Sequence, residues 1–396
     1  MDMGKDKLPD NRDIDTEGGN YNENIGKNYI QAHHVTIIEG DNYNHNHGIL
    51  QGKNSYELGE TVDKSIEPNS IYIERPPVET SCYQAIKKPG VLIRIKAPQR
   101  MGKTMLLAKV LEHGRELNYH TVNVNFKLAE SEILSDYQTF LQWLCVEVAD
   151  SLELPDRVEE KWRSIFGLNR NCTRYWQKYL LPNLDHPVVF AMDSFEGLFD
   201  YPELFKNFCN LLRGWYELAK QEDKIGKMWQ KVRFVVVHST EKYPQLDTNC
   251  SPFNVGIPIE LGEFNQQQVE ILAQHYGLEK KVSLPSLMGL VGGHPDLLNQ
   301  AFAALKQNNI TSEKLLELAS TEEGIFRNHL HQQLFHLQHN LCLEAAYKRV
   351  VLAGKSIPLD AEVGFKLHSL GLIKFQGNNC IPSCSLYQQY FGMRLL

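Results

Sequence analysis

Eight residues constrain this chain more than any others: Ala97-Pro98-Gln99-Arg100-Met101-Gly102-Lys103-Thr104, set directly after the apolar run Val91-Leu92-Ile93-Arg94-Ile95. A glycine, four residues and then Gly-Lys-Ser/Thr, between a buried strand and a helix, make a phosphate-binding loop. Ala97 stands at the first glycine, while Gly102, Lys103 and Thr104 fit the pattern. Successive backbone N–H groups of such a loop curl around a phosphate at a helix N-terminus, where the dipole favours negative charge. Gly102 lets the chain pass close to phosphates with no Cβ in the way. Lys103 is suited to β- and γ-phosphate oxygens, and the Thr104 hydroxyl to Mg²⁺. The expectation is a nucleoside triphosphate site, with a helix starting near Met105.

Other parts of such a site can be sought on the same logic. Val188-Val189-Phe190-Ala191-Met192-Asp193 reads as a short buried strand ending in a carboxylate. An Asp there suits the Mg²⁺ water shell, although a helix-capping Asp has the same local pattern. Hydrolysing relatives of this design usually place a Glu next, to activate water. Ser194 stands there instead, and Glu196 is the nearest carboxylate. Serine is no base at neutral pH without an activating partner. Asp193 and Glu196 are therefore the candidate catalytic pair, with slow turnover expected. The strand Val232-Arg233-Phe234-Val235-Val236-Val237 runs into His238-Ser239-Thr240-Glu241, where Ser239 is either a γ-phosphate sensor or a turn cap. Gly292-Gly293-His294-Pro295 precedes a helical stretch, as a tight turn would.

Taken together, these segments resemble the AAA-like ATPase family common in cyanobacterial proteins, close to the STAND signalling ATPases and to Orc/Cdc6-type AAA+ proteins. The resemblance spans roughly Ser70 to Leu396. It also draws on Tyr72-Ile73-Glu74-Arg75-Pro76 and Leu261-Gly262-Glu263-Phe264. It implies that Pro295 lies against the adenine, that Tyr72 and Arg75 line the base pocket, and that ATP is the nucleotide. Ala97 departs from the loop pattern in a way common in that family. Ser194 puts rapid hydrolysis in question but not binding.

At 396 residues the chain exceeds one core, so two or three domains are expected. A hydrophobic fraction of 42% supports a sizeable interior, and a net charge of −7 argues against broad capture of nucleic acid. No apolar run reaches membrane-spanning length, and no signal-peptide core opens the chain. The eight cysteines are scattered, with Cys380 and Cys384 as the one close pair, and read as reduced cytoplasmic thiols rather than a zinc site.

Residues 1–69 are a different material, rich in Asn, Gly, Tyr and His. Asn20-Tyr21-Asn22-Glu23-Asn24-Ile25-Gly26 recurs 22 residues later as Asn42-Tyr43-Asn44-His45-Asn46-His47-Gly48, identical at five of seven positions. Asn ladders, aromatics and the β-branched stretch Val35-Thr36-Ile37-Ile38 suit cross-β stacking. The repeat weakly resembles amyloid signalling motifs at the ends of STAND proteins. A solvated, disordered tail is the competing reading. A metal site from His33, His34, His45 and His47 is disfavoured by irregular spacing.

The expected architecture is α/β: a P-loop parallel sheet over 70–262, a helical lid over 263–340 and a winged-helix domain over 341–396. Thr121 to Phe126 fits a further parallel strand, and helices are expected around Tyr137 to Leu152 and Trp162 to Leu180. Asn265 to Tyr276 opens the lid. In the last segment two helical stretches precede a hairpin turning at Gly377-Asn378. A winged helix can enter a DNA major groove, but only Lys348, Arg349, Lys355 and Lys366 are basic between Ala345 and Leu370. In STAND proteins such a module holds the ATPase closed.

The function expected is an ATP-binding switch, with Mg²⁺, that couples nucleotide state to self-association or to a separate effector protein through residues 18–50. The resemblance suggests bacterial defence or stress signalling as its setting. An AAA+ ATPase acting on DNA and a non-hydrolysing scaffold are the alternatives. Nucleic acid is the less favoured partner, and weak ATPase activity stays open.

Overall fold

The computed structural model describes residues 71–239, 254–279 and 282–395; the Asn/Tyr repeat, its linker and Thr240-Glu241 lie outside them. Five strands, β1 (Leu92–Lys96), β2 (His120–Asn125), β3 (Val188–Asp193), β4 (Val232–His238) and β5 (Ile257–Glu260), form one sheet in the order β2-β3-β4-β1-β5. Every neighbouring pair is parallel. Parallel strands covered on both faces read as unbroken apolar runs, and β3 and β4 are buried at every position.

Side chains alternate across the sheet and feed two cores. Ile93, Ile95, Val189, Ala191, Val235 and Val237 face the helices α1 (Val78–Ile86) and α2 (Lys103–Glu116). Leu92, Val188, Phe190, Met192, Phe234 and Val236 face α3 (Tyr137–Ser151), α4 (Leu168–Tyr175) and α5 (Pro202–Leu218). On that second face three tryptophans meet: Trp215 lies 5.0 Å from both Trp176 and Trp229, ring centre to ring centre. Trp176 also packs on Phe190 at 5.1 Å, and Trp215 Nε1 donates to Thr173 Oγ1 at 3.0 Å.

The helix expected from Trp162 onward starts only at Leu168. Gly167 before it is extended at φ −64°, ψ 161°. The backbone ahead of it is held by Asn171, whose side chain accepts from Arg163 N and donates to the Arg163 and Phe166 carbonyls. From Trp176 to Leu180 the helix continues with π-type spacing.

The remainder is mostly helical: α6 (Gln266–Tyr276), α7 (Leu284–Val291), α8 (Pro295–Lys306), α9 (Ser312–Leu318), α10 (Arg327–Gln338) and α11 (Leu341–Leu352). β6 (Ile357–Pro358), α12 (Ala361–Ser369), β7 (Ile373–Gln376), β8 (Asn379–Pro382) and α13 (Ser385–Arg394) complete it. Asn265 and Gln268 start α6 with a reciprocal capping box, satisfying two orphan backbone donors. The hairpin expected at Gly377-Asn378 forms between β7 and β8, and β6 adds a short third strand. Leu272, Phe302, Leu330, Tyr347, Leu367 and Tyr387 belong to one apolar cluster, so the helices after the sheet and the C-terminal hairpin module share a core. Among the described residues, no helix is long and apolar enough to cross a membrane.

The tryptophan cluster sets the stability of the sheet's second face. Trp176→Ala is expected to cost about 3–5 kcal/mol, the usual range for emptying a buried aromatic site. Urea unfolding reads this directly, and a loss below about 1 kcal/mol would show that the face collapses to fill the gap.

Candidate functional site

In a parallel sheet the side chains that do chemistry gather beyond the carboxyl ends of the strands. Register aligns those ends here, with Lys96 opposite both His238 and Glu260, and Asn125 opposite Asp193. The loop 97–102 leaves β1 at this edge and enters α2 at Lys103. Gly102 is left-handed at φ +88°, and a Cβ there would come within 3.1 Å of Arg75 Nη2. That combination of backbone and space accounts for glycine at this position. Arg100 is also left-handed, at φ 60°, an uncommon conformation for a residue with a side chain.

Lys103 Nζ donates to the carbonyls of Ala97 at 3.1 Å and Pro98 at 2.8 Å, which holds the ammonium inside the loop's own curve. Thr104 Oγ1 donates to Asp193 Oδ2 at 3.1 Å, across the strand β4 that separates their parent strands. Burial pushes the Asp193 carboxyl above its ordinary value, opposed by the Ser194 amide at 2.7 Å and by Thr104. Ser194 turns the chain in a left-handed conformation, φ 54°, so that Glu196 faces the same edge. Both oxygens of Glu196 are engaged by the end of β4: Ser239 N donates to Oε2 at 3.1 Å and Ser239 Oγ to Oε1 at 2.7 Å. The structure therefore brings Lys103, Thr104, Asp193, Glu196 and Ser239 together.

Tyr72 and Arg75 stand behind the loop. Arg75 Nη1 donates to the Met101 carbonyl at 2.7 Å and to the Gly262 carbonyl at 3.3 Å. Its guanidinium lies 5.2 Å from the Phe264 ring centre, a cation–π distance. Glu79 Oε1 accepts from Arg75 N at 2.8 Å and from the Tyr72 hydroxyl. Sequence reasoning missed Glu79, although its spacing from Arg75, four residues, is the ordinary helical one.

Pro295 opens α8, with His294 as its cap. Gly293 is required beside them: a Cβ would sit 2.0 Å from the Phe264 carbonyl oxygen. Its carbonyl accepts from Phe264 N at 2.8 Å and its amide donates to Glu263 Oε2 at 3.1 Å, an oxygen that Lys374 also holds at 2.7 Å. Pro295 relates to the loop through its neighbour Asp296, whose Oδ2 accepts from Arg100 Nη1 at 3.1 Å. Arg100 Nη2 also donates to Gln332 on α10 at 2.5 Å. From the C-terminal module, the Ser369 carbonyl accepts from Gln99 N at 3.2 Å. None of these long-range partners carries a local sequence signal.

Beneath Arg100 lie two buried imidazoles, His294 and His329, 5.9 Å apart between ring centres. His329 Nε2 is 2.6 Å from the Tyr387 hydroxyl. Burial is the main cause that lowers both rings. It brings His294 to about 4, with Glu263 opposing and Arg100 and Lys374 reinforcing the shift. His329 lies well below its ordinary value, with His294 and Arg100 adding to the effect of burial.

The folded chain keeps both rings neutral, whereas the unfolded chain takes up protons below its ordinary value of 6.5. The stability tied to these rings is complete above pH 6.5 and is lost as the pH falls toward about 4. Urea unfolding across that window is expected to show the loss, and His294→Gln to flatten it. An unchanged slope in His294→Gln would contradict the assignment.

The family described as "AAA-like domain" matches residues 61–393 of the chain. No curated protein matches its sequence. Among solved structures, a Walker-type ATPase of Pyrococcus abyssi is similar at 10% identity and a TM-score of 0.52, covering 81% of this chain and 96% of its own. Drosophila ORC bound to DNA is similar at 10% identity and a TM-score of 0.42, over 93% of this chain and 100% of that one. AMPPCP-bound DnaA from Aquifex aeolicus gives 14% identity and a TM-score of 0.36, over 70% and 78%. At 10% identity the likeness to the Pyrococcus abyssi ATPase reaches the fold alone.

Proposed function

The chain belongs to the AAA-like domain family, and from that premise we propose that it is an ATP-binding switch whose nucleotide state sets the position of the lid and C-terminal module. The observation that carries this reading is the double attachment of the phosphate loop. Arg100 is held by Asp296 on α8 and Gln332 on α10, and Gln99 N by the Ser369 carbonyl, so one short loop meets both the lid helices and the C-terminal module. A ligand seated in the loop must act on those contacts, and its differential affinity for two arrangements is what a switch requires.

ATP suits the loop chemically. Lys103 releases the Ala97 and Pro98 carbonyls to meet phosphate oxygens, and the amides at the start of α2 add a positive dipole end. Tyr72, Arg75 and Pro295 line the route for the base in this reading. Thr104 and Asp193 supply a hydroxyl and a carboxylate 3.1 Å apart, hard oxygen donors that fit Mg²⁺. Among the described residues, no group of three or more His, Cys, Asp or Glu could hold a metal ion. A Mg²⁺ ion completed by substrate phosphates and water needs no such group, and it supplies charge neutralisation between phosphates.

Turnover is slow in this reading, because Ser194 stands where a water-activating Glu would follow Asp193 and Glu196 is oriented by Ser239 at both oxygens. Signalling through the N-terminal repeat, by self-association or recruitment of an effector protein in the cytoplasm, completes the proposal. The Asn-rich repeat in the sequence of residues 18–50, a composition suited to cross-β stacking, is its support.

Lys103→Ala is expected to abolish ATP binding measured by calorimetry while leaving the thermal midpoint unchanged; retained affinity would sink the site. In single-turnover assays negligible hydrolysis is expected from the intact protein, and brisk hydrolysis lost in Glu196→Gln would move the motor reading forward. Deleting residues 1–60 is expected to leave ATP affinity alone and to remove self-association in sedimentation. Unchanged assembly of the shortened chain contradicts the role given to the repeat.

A further inference from the structure

Between Glu160 and Asp185 the chain carries five cationic residues, Lys161, Arg163, Arg170, Arg174 and Lys178, and no Asp or Glu. In a chain of net charge −7 that is the opposite balance, confined to one stretch. α4 and its π-type continuation hold three of the five at intervals of four residues. Every other residue from Asn171 to Leu181 is buried. The helix therefore reaches solvent there through Arg174 and Lys178, with the exposed Arg170 one residue ahead.

Helix geometry lines these cations up. Four residues make a step of about 6 Å along the axis, close to the distance between successive phosphates of one nucleic-acid strand. In an unbroken α-helix each such step overshoots a full turn by about 40°, so the third cation would drift around the helix. The looser winding from Trp176 to Leu180 takes up part of that drift and returns Lys178 toward the line of Arg170 and Arg174. The preceding loop adds a fourth charge. Asn171 binds the Arg163 amide and carbonyl at 3.0 and 2.9 Å, which sets the exposed Arg163 beside the first turn of α4. The Arg174 guanidinium lies 4.5 Å from the Phe166 ring centre, a contact that orients the side chain and leaves its charge uncancelled. Among the described residues, no ion pair engages Arg163, Arg170, Arg174 or Lys178, whereas Arg157 lies 3.9 Å from Glu160.

We propose that this stripe binds the phosphate backbone of a single nucleic-acid strand. The rest of the chain is acidic on balance, so attraction is local and strongly salt-dependent. A lipid surface is the other extended anion, but it requires an apolar face to bury as well as cations. α4 spends its apolar residues on the core, Trp176 against Phe190 among them. Of the large apolar residues in this stretch Ile165 alone is exposed, at 82%. α4 also covers the sheet face opposite α2, the helix that the phosphate loop enters, so the stripe stands apart from the nucleotide site.

The test follows a labelled oligothymidylate by fluorescence anisotropy on the full chain, with phosphatidylserine vesicles as the second probe. Plotted as logarithms, affinity is expected to fall with salt at a slope near −3, about 0.7 for each of four neutralised phosphates. Arg170→Gln, Arg174→Gln and Lys178→Gln together should make that slope shallower by about 2 and weaken binding at low salt at least about tenfold, with ATP affinity unchanged. Arg174→Lys keeps the charge and should keep the slope. If the triple variant lowers the thermal midpoint, Arg170→Gln with Lys178→Gln, both at exposed positions, replaces it, and the expected change is about 1.4. An unchanged slope overturns the assignment, as does a slope that falls instead in Lys348→Gln with Arg349→Gln of the C-terminal module. A wild-type chain that binds the vesicles but not the oligothymidylate, or neither probe, also overturns it and leaves the ATP site standing.

Discussion

The arrangement depends on one buried guanidinium. Arg75 sits almost wholly out of water, where an unpaired charge is prohibitive, and burial lowers its pKa from the ordinary arginine value. Its partners are therefore compulsory: the Met101 carbonyl in the loop, the Gly262 carbonyl at the exit from the sheet, and the face of Phe264. Glu79 provides the countercharge nearby and fixes the arginine's own backbone amide. The side chain thereby sets the distance between the phosphate loop and the first residues of the lid. The contact to Met101 is 2.7 Å and that to Gly262 is 3.3 Å, so the loop holds the guanidinium by the shorter of the two bonds.

Much of the sheet and its edge could be read from the chain because the determinants are local. Ala97 to Thr104 follow an apolar strand directly, and Asp193 closes a run whose alternate residues serve two cores. β5 gives no strand signal, being four residues long with Pro258 in it, a composition tolerated on an outer strand because proline lacks a ladder donor. The helix starts at Leu168 rather than Trp162, since Asn171 satisfies the backbone before it from several residues away. The roles of Asp296, Gln332 and Ser369 carry no local signal for a different reason. Each meets the loop from nearly two hundred residues or more away in the chain, and no periodicity reports on that.

The loop also shows how a small segment serves two kinds of demand. Gly102 and Arg100 both take left-handed backbone, one to clear Arg75 and the other to aim its side chain away from the cradle toward α8 and α10. In the proposed switch, the amides that would face a phosphate and the Arg100 side chain that would report on it belong to neighbouring residues. On that reading binding and transmission would lie little more than a peptide unit apart, with little slack between them.

The common core of the post-sheet helices and the C-terminal hairpin has a consequence for inheritance. Tyr347 and Tyr387 from the last segment and Leu272, Phe302 and Leu330 from the helices before it occupy one apolar interior. Cutting the chain between α10 and α11 would divide that interior and expose a face on each piece. The C-terminal module is therefore no interchangeable cassette. Changes to its packing residues must be matched by changes in the preceding helices, and recombination that respects the chain's physics would exchange the two together.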